Sequence, residues 1–372
     1  MDHKELQNLI ALQHIPGIGS ITAKQLIEKV GSATILFEHH TDLPALIPNV
    51  RPALIKALDC PAAHRHAEQE LAFIDKHRIT CIGILDDAYP TRLRECDDAP
   101  LLLYYRGNTT LNPSRTVSIV GTRKCTDYGR ELCERFVRDL SALCPDTLIV
   151  SGLAYGIDIC AHRAALQCSL PTVGVLAHGL DRIYPSVHRN TAAQMSQCGG
   201  LLTEYSSFTE PVRQNFLQRN RIIAGIADAT VVIESAAKGG ALVTASIANS
   251  YGRDCFAFPG RIGDTYSVGC HNLIRQNGAA LITSAADFVE AMQWDLPKSG
   301  KPEAIQRTLF LELTEEEERL VQLLGQHADG VQINTLVAES NIPVGRLTAL
   351  LFELELRGIV RPLAGSSYKL IP

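Results

Sequence analysis

Apolar residues recur along this chain in more than one rhythm. Between Leu6 and Val30 they fall at helical spacing, with Leu6, Leu9, Ile10 and Leu12 in one run and Ala23, Leu26, Ile27 and Val30 in the next. Ile15-Pro16-Gly17-Ile18-Gly19 interrupts them, which predicts two helices joined by a Gly-x-Gly hairpin. A looser echo runs from Ile47 to Leu58, with Asn49 standing where Gly17 stood. From about 67 to 295 the rhythm becomes one of short, nearly all-apolar runs separated by amphipathic stretches. The runs 79–84, 116–120, 147–151, 172–176, 201–203, 229–234, 254–258 and 280–282 predict strands. Helices are predicted between them at 127–143, 156–168, 188–198, 215–226, 240–251, 269–277 and 284–294. Strands apolar on both faces imply a sheet covered on both sides, so the expected fold is α/β with a doubly wound, mostly parallel sheet. Such sheets bind ligands beyond the carboxyl ends of their strands, beside the switch in strand order. The loops after 120, 151, 177, 203 and 234 are therefore the places to search for chemistry.

A polar stretch at 296–313, with Pro297, Lys298, Ser299, Gly300, Lys301 and Pro302, reads as a linker. Thr314-Glu315-Glu316-Glu317 then supplies a helix start, and helical patterns at about 315–325, 334–340 and 344–357 lead to a hairpin near Gly365. Three helices and a hairpin resemble a winged-helix domain, and residues 1–66 resemble a pair of helix-hairpin-helix units in a small SAM-like, all-α domain. The organisation expected is thus 1–66, 67–295, a linker at 296–313, and 314–372. A length of 372 residues agrees, since one hydrophobic core rarely serves so long a chain.

Composition narrows the function. With 46% hydrophobic and 20% charged residues and a formal net charge of -5, the chain is globular and is no globally basic nucleic-acid binder. Residues 1–66 hold six acids and six bases, and the tail from 314 holds eight acids against five bases, which leaves -2 of the total to the middle. Glu353 and Glu355 in the tail's last helix favour protein contacts there over phosphate. The eleven cysteines contain no Cys-x-x-Cys pair, so no metal is expected and the thiols read as reduced and mostly buried. No signal peptide or membrane span is apparent, and the chain reads as cytoplasmic.

Several loops carry candidate binding chemistry. Gly121-Thr122-Arg123-Lys124 follows a strand and precedes a helix, where backbone amides and a guanidinium suit a phosphate, although no Walker A pattern is present. Ser151-Gly152-Leu153-Ala154-Tyr155-Gly156 leaves a floor of small residues at the next helix mouth, where Asp158 complements the dipole and His162 lacks any recruiting partner. Arg213, Arg219, Asn220 and Arg221 form the densest positive segment in the chain. The alternative for Arg219 or Arg221 is an internal ion pair with Glu204 or Glu234. Arg182 and Tyr184, followed by Arg189 and Asn190, pair an aromatic with arginines, the minimal platform for a stacked base. Gly239 and Gly240 open a further helix.

In their order these segments resemble the DNA-processing protein A family, also called DprA or Smf. The matching pieces include Asp87-Ala88-Tyr89-Pro90, Tyr105-Arg106-Gly107, Val120-Gly121-Thr122-Arg123 and Ser151-Gly152-x-Ala154-x-Gly156-Ile157-Asp158. Tyr184-Pro185 with Asn190, Arg219-Asn220-Arg221-Ile222-Ile223-Ala224-Gly225, Pro259-Gly260 and Gly269-Cys270-His271-Asn272-Leu273-Ile274 continue the series over roughly 80–290. The resemblance implies a homodimeric, non-enzymatic recombination mediator. It would bind single-stranded DNA on an extended Rossmann-like domain without a cofactor, protect incoming strands and load RecA in natural transformation, with other competence proteins or single-strand binding protein as further partners. It also implies that Arg123 and the Tyr184–Asn190 loop grip the strand. Two departures stand out. Ser186 replaces the basic residue usual after Tyr-Pro, leaving that phosphate to Arg189 or Arg182, and Lys238-Gly239-Gly240-Ala241 replaces the usual Ser-Gly-Ser. The rivals are a Rossmann-like enzyme acting on nucleoside monophosphates, resembling the Lonely-guy phosphoribohydrolases but without their Pro-Gly-Gly-x-Gly-Thr signature, and a purely structural scaffold.

Overall fold

A strand whose alternate residues point to opposite faces can be apolar throughout only if both faces are covered. A computed structural model shows this arrangement; it describes residues 1–47, 50–294, 313–325, 327, 331–357, 359–363 and 367–370. Nine strands make one sheet: β1 Thr80–Gly83, β2 Leu102–Gly107, β3 Arg115–Val120, β4 Thr147–Ser151, β5 Thr172–Val175, β6 Gly199–Thr203, β7 Ala229–Val232, β8 Asp254–Ala257 and β9 Ala280–Leu281. Their order is β1-β2-β6-β5-β4-β3-β7-β8-β9, parallel from β6 to β9 and antiparallel where β2 meets β1 and β6. The mostly parallel sheet agrees with the sequence pattern. β2 does not figure among the expected strands: its apolar run Leu102-Leu103-Tyr104-Tyr105 has no helix separating it from β3, so it lacks the alternation that marks the others.

The two faces of the sheet build two cores. Val117 and Ile119 of β3, with Ile149 and Val231, pack under Leu132, Phe136 and Val137 of the Asp127–Leu143 helix and Phe288 of the Ala285–Ala291 helix. Val120, Val150 and Val175 face the other way, onto Ile222 and Ile223 of the Arg213–Gly225 helix. That second core does not stop at the sheet. It runs on through Leu102 and Tyr104 of β2 into Leu9, Ile10 and Leu12 of the first helix, His3–Gln13.

The amino-terminal helices His3–Gln13 and Ser20–Val30 are joined at a hairpin where Gly17 has φ +86°, as the interrupted pattern predicts. The Asn49 echo lies outside the described residues. Buried Lys24 donates to the backbone oxygens of Arg94 and Cys96, each at 2.8 Å, so these helices are bonded as well as packed to the α/β region. Residue 66, the expected boundary, lies inside an unbroken helix, Pro61–His77, and Met1–Pro297 forms one compact unit.

Lys298–Pro372 is a second unit with its own core of Leu320, Leu336, Leu347 and Leu351. Helices Glu315–Gly325, Ile333–Ser340 and Val344–Leu356 accompany β10 Val331–Gln332, β11 Val360–Leu363 and β12 Ser367–Leu370, which pair in the order β10-β12-β11, a winged-helix arrangement. The expected linker lies outside the described residues, Leu313 apart, as does the turn of the expected hairpin at 364–366. All eleven cysteines are free. Among the described residues no helix is long and apolar enough to cross a membrane.

Because the second core passes from the sheet into the first helices, a fragment beginning at 67 should leave Leu102 and Tyr104 uncovered and split the Pro61–His77 helix. Compared with fragment 1–297, it is expected to bind a hydrophobic dye and to lose its single cooperative urea transition. Equal cooperativity of the two fragments would show that residues 1–66 are dispensable to this core.

Candidate nucleic-acid interface

The chain runs outward from β3 through β4 and β5 to β6, then crosses back to place β7 on the other side of β3. Loops leaving the carboxyl ends of β3 and β7 therefore diverge, and a crevice must open between them. A cleft of about 660 Å³ lies there, lined by residues from six of the connecting segments, those that follow β3 to β8.

Its floor is built around a buried arginine. Arg219 is 3% exposed, donates to the Gly152 backbone oxygen at 2.7 Å and also to that of Val175, and so ties the end of β5 to the turn after β4. A Cβ on Gly152 would stand 2.6 Å from the guanidinium, so this glycine is required to seat Arg219 rather than to admit a ligand. Burial lowers the Arg219 guanidinium to about 10, which still leaves it charged at neutral pH, with Asp158 as its nearby counter-charge. Burial pushes the Asp158 carboxyl up, and Arg219 opposes that. Gly156, at φ +77°, lets the backbone of Thr122 and Arg123 cross the mouth of the Ile157–Gln167 helix, where any Cβ would meet the Thr122 oxygen at 2.1 Å. Gly121 is held against Ile157 in the same way.

Glu234, at the end of β7, settles which carboxylates are free. It is buried and accepts from the Thr126 amide at 2.9 Å and the Thr126 hydroxyl at 2.5 Å, capping the start of the Asp127–Leu143 helix. Arg221 instead bonds Glu204 at 2.5 Å and the Asp98 backbone oxygen at 2.7 Å. Its guanidinium is an internal one and lies away from the cleft. Of the two alternatives for the arginine pair, Arg221 takes the ion pair with Glu204, and Arg219 bonds backbone oxygens.

Above this floor the exposed side chains are cationic and aromatic. Arg123, Lys124, Arg213 and Lys238 are exposed around the rim. Phe216 lies between two guanidiniums, with Arg123 at 5.1 Å and Arg219 at 5.8 Å from its ring centre, and the half-exposed ring of Tyr184 stands 5.8 Å away. Asn220 is buried and lines the cleft. Gly239 and Gly240 open the Gly240–Ser250 helix at the same cleft, without a side-chain cap.

The structure thus brings together Gly121, Thr122, Arg123, Lys124, Tyr184, Arg213, Arg219, Asn220, Gly239 and Gly240. It places the other candidates elsewhere. The Ser151 hydroxyl is buried on the Ile119 oxygen at 2.6 Å. Arg182 pairs with Asp181 at 2.8 Å and lies 3.8 Å from Glu210. Arg189 is exposed but outside the cleft, and Asn190 lines a separate groove beside Arg163 and Gln194. Phe216 and Lys238 line the same cleft and are not among the candidates that sequence reasoning singles out. The stripe Arg213, Phe216, Asn220, which helical spacing puts on one face, is the signal that marks Phe216. Lys238 is marked as the one base in the segment from Glu234 to Gly240.

Residues 80–293 match the family described as DNA recombination-mediator protein A, and residues 308–366 match the DprA winged helix domain. The chain belongs to the DprA family. Protein Smf of Synechocystis is 31% identical over 404 residues, covering 99% of this chain and all of that one. The X-ray structure of DNA processing protein A from Streptococcus pneumoniae superposes with a TM-score of 0.61 at 34% identity, over 78% of this chain and 98% of that one. DNA processing protein A from Helicobacter pylori, reported for its single-stranded DNA binding mode, gives 0.53 at 27% identity over 59% and 97%.

The packing makes two predictions. Gly152→Ala should lower stability by about 1–3 kcal/mol, because the new methyl overpacks a fixed guanidinium, whereas Gly240→Ala, which meets open space, should stay within about 0.5 kcal/mol; thermal melts of both variants check this. The second concerns His162, fully buried with Nδ1 2.7 Å from the Thr172 hydroxyl and lowered by burial from 6.5 to about 3. Below pH 6.5 the unfolded chain binds the proton that the folded one refuses, so stability should fall as pH drops from 6.5 towards 3. His162→Asn should flatten that slope by up to about 1.4 kcal/mol per pH unit in urea titrations, and an unchanged slope would contradict it.

Proposed function

We propose that the cleft binds single-stranded DNA and that the chain works as a non-enzymatic recombination mediator, protecting incoming strands and loading RecA in natural transformation. The observation that carries this reading is Phe216 set between Arg123 and Arg219 with Tyr184 beside it, rimmed by four exposed cations. Aromatic faces take bases without regard to sequence, and the cations take the backbone. The family and the single-stranded DNA binding mode of its Helicobacter pylori member support the same ligand. Homodimerisation, a cytoplasmic site of action and contact with single-strand binding protein belong to this proposal as well. Both carboxylate oxygens of Glu234 are engaged by Thr126, and Asp158 is buried against Arg219, which counts against the rival hydrolysis of nucleoside monophosphates.

Four exposed cations at single-strand contacts correspond to a slope of about -3 in log K against log salt. Arg123→Ala should weaken oligo-dT binding and reduce the slope by about 0.7, while Phe216→Ala should cost about 1–3 kcal/mol with the slope unchanged. Fluorescence anisotropy at two salt concentrations distinguishes the two effects, and undiminished affinity in both variants would remove the cleft from consideration. Strand exchange with RecA and single-strand binding protein tests the mediator role; no stimulation by the protein would refute it.

A further inference from the structure

The loop from β6 to the Arg213–Gly225 helix holds a mostly exposed phenylalanine in a backbone conformation that disfavours it. Phe208 is 66% exposed and sits at φ +64°, a backbone conformation that a bulky L residue rarely adopts. Scattered exposed apolar residues need no explanation, but one held in an unfavourable conformation by its surroundings does. Three anchors hold it. The buried Glu70 carboxylate, on the Pro61–His77 helix, accepts from the Ser207 amide at 2.9 Å and from the Ser207 hydroxyl. Asp181 accepts from the Phe208 amide at 2.8 Å. The Gly179 amide donates to the Thr209 oxygen at 3.3 Å.

The ring is presented on an aromatic surface. Phe73 lies 5.4 Å from it, edge to face, and His77 lies 4.3 Å beyond Phe73. Bases accompany this surface: Lys76 and Arg78 are exposed beside His77, and Arg106 reaches the His77 backbone oxygen at 3.5 Å. It lies close to the cleft. Asp181, which holds the Phe208 amide, also holds Arg182, two residues before Tyr184. Pro211, three residues after Phe208, lines the cleft, so the two Cα atoms are at most about 11 Å apart.

We propose that Phe208, with Phe73 beside it, is a second stacking site for single-stranded DNA, carrying the strand out of the cleft and across the Pro61–His77 helix. The proposal rests on the single-strand reading of the cleft. It gives the carboxyl end of the Pro61–His77 helix a role in DNA contact.

The test uses the full chain and oligo-dT of two lengths, about 6 and about 20 nucleotides, within and beyond the span of one site. Phe208→Ala should weaken the longer oligonucleotide by about 5- to 100-fold, the loss of one stacked base, while Phe208→Trp retains it. The shorter one should be held in the cleft with unchanged affinity. Wild-type affinity of Phe208→Ala for the longer strand, with Arg123→Ala still weakened, overturns this proposal and leaves the cleft reading standing. Loss of neither variant's binding overturns both. Phe208→Gly, whose backbone accepts φ +64°, should melt no lower than the wild type; a clear fall would make the ring a packing element and overturn the proposal.

Discussion

The geometry of the cleft hangs on a guanidinium buried at the carboxyl edge of a parallel sheet. The backbone oxygens of Gly152, in the turn after β4, and of Val175, at the end of β5, would cost free energy if left unpaired in the interior. Arg219 satisfies both from a neighbouring helix. Its charge requires a counter-charge, which Asp158 supplies, and its bulk requires the absence of a side chain at 152. The Arg213–Gly225 helix is thereby fixed against the strand ends, and Phe216, one turn before Arg219, is set at the cleft mouth.

The same logic divides the ionic groups of this region between structure and surface. Glu204 with Arg221, and Glu234 with Thr126, are consumed inside. Arg123, Lys124, Arg213 and Lys238 remain outside around one opening. The cleft lining sets Arg123, Lys124, Arg213, Arg219 and Lys238 against one carboxylate, Asp158, so a chain with net charge -5 can present a cationic cleft. The field is confined to one edge of the sheet, which suits a ligand gripped at a few phosphates and held further by stacking.

The amino-terminal helices are part of this arrangement. They share a core with β1 and β2, and Lys24 and Glu70 reach from them to backbone atoms of the larger fold. Glu70 shapes the loop that leads into the cleft. A division at residue 66 is plausible on hydrophobic pattern because helices give way to strands there. The packing does not follow it, since Leu102 and Tyr104 of β2 share one core with those helices.

The α/β class, most of the strands and the loops that matter are legible in the hydrophobic pattern, because burial on both faces forces an apolar run and a strand-to-helix turn forces small residues. The family is legible as well, through motifs held in order. Which polar groups meet is not. Arg219 and Arg221 are two residues apart in one helix, yet one bonds carbonyls under the cleft and the other pairs with Glu204, because residues so spaced point to different sides and only the docked sheet shows what each side faces. Arg182, free in sequence, is paired in space, and Phe216, unremarked in sequence, is central. Such pairings join groups carried on different loops and helices, and the fold alone, not any local pattern, brings them within reach of one another.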